Sequence, residues 1–252
     1  MERQPVFDFH ARLTSPAALT RLLSAMDGSG VARAGVAAGG VIGIDVLSRQ
    51  LVEGGYVTGD PDNLGVLDAA RSAGGRLTPF WFGNPHGDPA GYREFGAQYA
   101  ALELSPAVHG GRLDDPRYAA FLDLAAEFQH PVYVVCIDRA GCRVADLTAQ
   151  ADKRPEVIFV LGHLGVGLID TYGIDLVAPL PNMVVETSGA FGFTVWSAID
   201  RLGADRVLFS AEHPLQHPSA ELAKFRALEL PQDQLDQVLW RNAHRILRLE
   251  AP

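Results

Sequence analysis

The chain has 252 residues, 48% hydrophobic and 20% charged, enough apolar material to bury a full core without disulfides or a structural metal. That composition excludes a disordered, collagenous or small disulfide-stapled protein. Lys and Arg number 21 against 30 Asp and Glu, a net charge of -9, and no run of five basic residues occurs, so no nucleic-acid partner is expected.

The first strand candidate spans residues 6–9, after an N-terminus, MERQPVFDFHARL, that carries charges and a proline in place of a signal's apolar stretch. No window reaches 18 apolar residues, so neither export nor a membrane is expected. Further candidates follow at 32–36, 77–82, 100–104, 132–137, 157–161, 183–187 and 207–209. The runs VYVVCI, VIFVL and VLF at 132, 157 and 207 are apolar on both faces, as parallel strands covered by other layers are. Between the second and third candidates, residues 39–62 hold Gly39, Gly40, Gly43, Gly54 and Gly55, and read as a loop or helix over the mouth of the fold.

Residues 115–129 place Tyr118, Phe121, Leu122, Leu124, Ala125 and Phe128 at helical spacing, with Asp114 or Asp115 as cap and Pro116 in the first turn. The cysteines, Cys136 and Cys142, are spaced for neither a disulfide framework nor a zinc ribbon. Reduced thiols in a cytoplasmic protein are the expectation. Residues 234–249 repeat the amphipathic pattern after Pro231 and are expected to dock as a C-terminal helix. From residue 77 onward strand starts recur about every 25 residues, room for one strand, one helix and two loops. Eight strands alternating with helices predict an α/β fold, a single-domain (β/α)8 TIM barrel, over a doubly wound sheet. The nucleotide-binding glycine signatures of the latter are missing.

In such a barrel the reactive groups stand at the C-terminal ends of strands. The first strand runs into Asp8, His10 and Arg12, which strict alternation sets in one inward row with Phe9 and Ala11 turned to the helices. His163, between Gly162 and Gly165, leaves an apolar strand. Alone it would bond a loop carbonyl, but beside strands one and eight it can act as acid or base. Glu212, after the last strand, can orient water, take a proton or bind a cation; a helix cap or solvent-facing acid is the plainer alternative. Glu103 on the fourth strand either contacts substrate or pairs with an outer helix. His213 and His217 read as loop histidines outside the site, and His86, His109, His130 and His244 as surface, capping or packing residues.

The segments DFHAR (8–12), LTPFWFGNP (77–85), DDPRYAAFLDLAAEFQHPVYV (114–134), VIFVLGHLG (157–165), VVETSG (184–189), RVLFSAEHP (206–214) and WRNAHRIL (240–247) carry a resemblance in their order and spacing. Together they resemble the amidohydrolase superfamily, in its amidohydrolase-related branch of TIM-barrel decarboxylases and lactonases. The resemblance implies a metal site opening Asp-x-His-x-His. Asp8 and His10 match it, Arg12 stands for the second histidine, Val135 for a fifth-strand histidine and Glu212 for an eighth-strand aspartate. His163 matches a histidine that assists chemistry.

The metal site is thus expected to be degenerate, since a catalytic zinc takes three protein ligands. No cofactor is favoured; the alternative is a single divalent ion such as zinc on His10, His163 and Glu212. Arg12 is expected to replace the metal as a fixed cation directed at Glu212. The expected function is a metal-free or weakly metal-dependent hydrolase of a small, anionic lactone or ester, with His10, Arg12, His163 and Glu212 catalytic and Arg12 and Glu103 on the substrate. A non-oxidative decarboxylase of a small carboxylic acid and an inactive small-molecule-binding barrel are the alternatives. The expected partner is a small molecule, with a homo-oligomer left open.

Overall fold

The runs of Val, Leu and Phe form eight strands in the computed structural model, which describes residues 5–15, 17–167 and 169–249. They are β1 (Val6–Leu13), β2 (Val31–Ala38), β3 (Leu77–Gly83), β4 (Ala101–Leu104), β5 (Val132–Val134), β6 (Phe159–Leu161), β7 (Met183–Glu186) and β8 (Val207–Leu208). All neighbours pair parallel, in chain order. The ring is joined where Phe9 N–H donates to Phe209 O (2.9 Å), Glu212 N–H to His10 O (2.9 Å) and Arg12 N–H to His213 O (2.7 Å). Helices fill the intervals between strands, which makes the fold a (β/α)8 barrel.

Two strands are shorter than their apolar runs. β5 stops at Val134 because the chain turns back on itself, with Ile137 N–H on Cys142 O at 3.0 Å. β8 ends at Leu208, and Phe209 N–H is taken by Val238 O (3.2 Å) of the C-terminal segment. That segment runs through Gln232–Asp236, a π-helical turn at Gln237–Arg241, and Asn242–Ile246. Ala243, Ile246 and Leu247 pack on the barrel's interior residues Phe7, Phe9, Phe80, Tyr133, Val160, Val184 and Leu208, so the helix plugs one end of the barrel. Pro116–Phe128 is a helix with the Asp115 side chain accepting from Arg117 N–H, which settles the cap on Asp115.

The single inward row expected of β1 does not form. Pairing with β2 shifts register between Asp8 and Ala11, and such a bulge reverses the alternation. Phe7 and Phe9 therefore lie in the interior cluster, against the expectation that Phe9 faces the helices, while His10 and Arg12 become the polar partners across the mouth. The Asp8 carboxyl bonds neither of their side chains and accepts instead from backbone, from Ala211 N–H at 2.9 Å and His10 N–H at 3.4 Å. Burial pushes this carboxyl up to about 7, even against the hydrogen bonds that oppose the shift.

Residues 39–62 do cross the mouth, and their central part is the helix Ile44–Glu53. Gly54 (φ 90°) and Gly55 (φ 116°) end it in a conformation side chains resist. Two polar clasps hold it down. Gln50 Nε2 donates to Ala107 O (2.5 Å) and Val108 O (3.0 Å), and Arg139 donates to Gln50 O (3.1 Å) and Gly55 O (3.2 Å). Removing the second clasp by Arg139→Ala is expected to speed amide exchange across Ile44–Glu53 about 30-fold, since two net hydrogen bonds at about 1 kcal/mol each are lost. Unchanged exchange would mean that the apolar face alone holds the helix. Among the described residues no helix is long and apolar enough to cross a membrane.

Candidate active site

Five side chains form one continuous polar chain at the C-terminal mouth. His10 Nε2 donates to Glu103 Oε2 (3.0 Å), and Arg12 Nη2 donates to Glu103 Oε1 (2.7 Å). Arg12 Nε donates to Glu212 Oε1 (3.0 Å), and Glu212 Oε2 meets His163 Nε2 (3.1 Å). His10 and Arg12 come from β1 and Glu103 from β4, whereas His163 and Glu212 lie just beyond β6 and β8.

The last two sit at φ 56° and φ 52°, a left-handed conformation that costs an L-residue roughly 1–2 kcal/mol. Strain of this kind is tolerated where it aims a side chain, and here it brings His163 and Glu212 face to face.

The ion-pair geometry fixes the charges. Burial would raise the Glu103 carboxyl, but Arg12 and His10 outweigh it and hold the group down at about 2. Glu212 behaves likewise: burial opposes its ionisation, while His163 and Arg12 pull it below the ordinary carboxylate range. Burial would lower His163, yet the charges of Glu212 and Glu186 lift it above the usual imidazole value.

Hydrogen-bond direction supports the same assignment. Ser188 spends its hydroxyl proton on Glu186 Oε2 (3.1 Å), so its oxygen accepts from His163 Nδ1 (2.9 Å). With Glu212 a carboxylate, His163 Nε2 must also carry a proton, and the ring is an imidazolium.

Glu186 supports the pair from below. Its Oε2 accepts from Tyr133 OH (2.9 Å) and from His163 N–H (3.0 Å), and Ser188 N–H donates to Oε1. Tyr133 also stacks on His10, ring centroids 4.2 Å apart and 7° from parallel. These three supporting residues were missed by sequence reasoning. VVETSG contains Glu186 and Ser188, but only the adjacency of β5, β6 and β7 reveals what they hold.

Above the pair opens a cavity of about 600 Å³, a size suited to a small molecule. Arg12, His163 and Glu212 form its polar floor, Phe82, Val135 and Val166 its apolar wall, and Ile44, Leu47 and Leu51 of the covering helix its roof. Arg139 stands at its edge. His10 and Glu103 are fully enclosed beneath the floor and line none of the cavity. Glu103 therefore sits inside the barrel, away from the outer helices, as the partner of His10 and Arg12.

The arrangement does not fit a metal ion. The candidate ligands His10, His163 and Glu212 do not converge, because each histidine Nε2 is turned to a carboxylate and Arg12 bonds both carboxylates. Val135 offers no donor. Among the described residues no group of three His, Cys, Asp or Glu is placed to hold an ion.

A sequence profile described as amidohydrolase matches residues 8–249. The chain belongs to the amidohydrolase family. No curated protein matches the sequence. Solved structures similar to this family member include a putative 2-pyrone-4,6-dicarboxylic acid hydrolase from Pseudomonas putida, 16% identical over 99% of this chain and 100% of that one, TM-score 0.75. A 2,6-dihydroxybenzoate decarboxylase from Rhizobium is 17% identical over 99% of both chains, TM-score 0.72. A 5-carboxyvanillate decarboxylase from Novosphingobium aromaticivorans, crystallised with manganese, is 14% identical over 98% of this chain and 96% of that one, TM-score 0.70. At these identities the likeness is one of fold, and that fold is shared by a putative hydrolase and by decarboxylases.

The Glu103 pairing carries a pH signature. Its folded value of about 2 lies below the ordinary 4.5, so its contribution to stability is complete above pH 4.5 and is lost as pH falls toward 2. Urea unfolding of the wild type and Glu103→Gln at pH 3 and pH 6 checks this. The wild type's advantage over the variant is expected to shrink at the lower pH, and an advantage equal at both would contradict the pairing.

Proposed function

We propose that this amidohydrolase-family protein hydrolyses a small lactone or ester carrying an anionic group. The observation that carries the reading is the direct contact of an imidazolium with a carboxylate, His163 on Glu212 at 3.1 Å, on the floor of the cavity. Glu212 takes a proton from water as the water oxygen bonds the acyl carbon. His163 gives its Nε2 proton to the leaving oxygen as the acyl C–O bond breaks. Glu212 then holds the proton that His163 has lost, and one transfer between them restores the starting state. Arg12 lines the same floor and supplies a fixed positive charge for the acyl oxygen and for an anionic substituent.

Decarboxylation is the second reading, favoured by the same imidazolium, which can protonate the carbon left when carbon dioxide departs. There the proton is consumed by the product and must be fetched from solvent at every turnover. The pair resets itself only in hydrolysis, which ranks that reaction first. The dicarboxylic lactone named for the Pseudomonas putida protein illustrates the substrate class.

A panel of carboxylated lactones, simple esters and hydroxybenzoates, followed by acid release and carbon dioxide detection in parallel, tests the proposal. Acid release without carbon dioxide is expected from a carboxylated lactone or ester. Carbon dioxide release would favour the second reading, and ligand-induced thermal shifts with no turnover would make the barrel a binding protein.

A further inference from the structure

The polar chain is symmetric about Arg12. Glu103 and Glu212 each present two oxygens; three of the four accept hydrogen bonds and the fourth makes an ion-pair contact with an imidazole nitrogen. Arg12 takes one oxygen of each, His10 takes the other on Glu103, and His163 the other on Glu212. The guanidinium is itself fixed, its Nη1 directed at Ala38 O (3.4 Å) and its carbon 5.6 Å from the Phe82 ring centroid. Both histidines turn a protonated Nε2 toward the carboxylates, so neither offers a lone pair there.

We propose that Arg12 serves as a built-in cation that closes this site to divalent metal ions, in a fold that elsewhere is crystallised with manganese. A metal entering here would have to displace the guanidinium from two buried carboxylates and strip two imidazole protons. It would then stand beside a permanent positive charge. The inference concerns what the site binds and holds whichever bond the enzyme breaks.

The test titrates the wild-type protein and an Arg12→His variant with manganese and zinc chlorides by calorimetry, after metal analysis of protein from metal-supplemented cultures. Wild type is expected to carry and take up less than about one-tenth of an equivalent of either ion, whereas a structural or catalytic site fills stoichiometrically. Arg12→His removes the cation and adds an imidazole, and is expected to bind zinc at least about 100-fold more tightly than wild type. Near-stoichiometric uptake by wild type, or zinc binding by the folded variant no tighter than by wild type, would overturn the proposal. Should the variant fail to fold, the wild-type titration decides alone.

Discussion

Arg12→Met is expected to destabilise the protein by roughly 3–5 kcal/mol, the cost of breaking a buried ion pair by removing one partner. Methionine preserves much of the side-chain length but leaves Glu103, fully buried, and Glu212, 6% exposed, without the guanidinium they share. In a chain of this size each kcal/mol shifts the melting temperature by about 2–4 °C, so a drop on the order of 10 °C should be seen by calorimetry. Adding Glu103→Gln to the variant is expected to recover part of the loss, because one stranded charge disappears. The contrast is with Arg49–Glu53 on the covering helix, at 3.9 Å with both side chains largely exposed, where Arg49→Met should change stability by less than about 1 kcal/mol. Equal effects at the two arginines would mean that the central chain is no more than a surface ion pair.

His163→Asn is expected to lower kcat by about 10²- to 10⁴-fold on the substrate found by the panel, the range for loss of a positioned acid–base group. Stability should fall by less than in Arg12→Met, because Glu212 keeps its bond to Arg12 and asparagine tolerates the left-handed backbone at φ 56° better than most residues. Glu212→Gln should cost a similar factor, and the double variant should be scarcely worse than either single one, as for groups that act as a unit. Additive losses, or wild-type kcat in His163→Asn, would separate the two residues and remove the proton relay.

Apolar runs made the barrel legible because strands covered on both faces leave continuous Val, Leu and Phe in the sequence. Their ends were less so. The runs through Ile137 and Phe209 continue past the ladder, where turns and the C-terminal helix take over the backbone bonds. The shift in β1 was invisible, since nothing in DFHAR marks a bulge, and it separates the Asp8 side chain from those of His10 and Arg12.

In the site, the approach of Arg12 to Glu212 followed from strands one and eight being neighbours. The enclosure of Glu103 did not, because an acid between two leucines reads equally as inward or outward. The covering segment showed itself by length and glycines, but its fastening by Gln50 and Arg139 depends on carbonyls that no side-chain pattern reports.

The reaction proposed depends above all on His163 being an imidazolium paired with ionised Glu212, and ¹⁵N NMR titration of the histidine rings measures this without a substrate. His163 is expected to keep both ring nitrogens protonated at pH 6.5 with its midpoint above that value, since its pKa is raised in the fold, and Glu212→Gln should move the midpoint down. A His163 ring that is already neutral at pH 6.5, or whose midpoint does not respond to Glu212→Gln, would contradict the account.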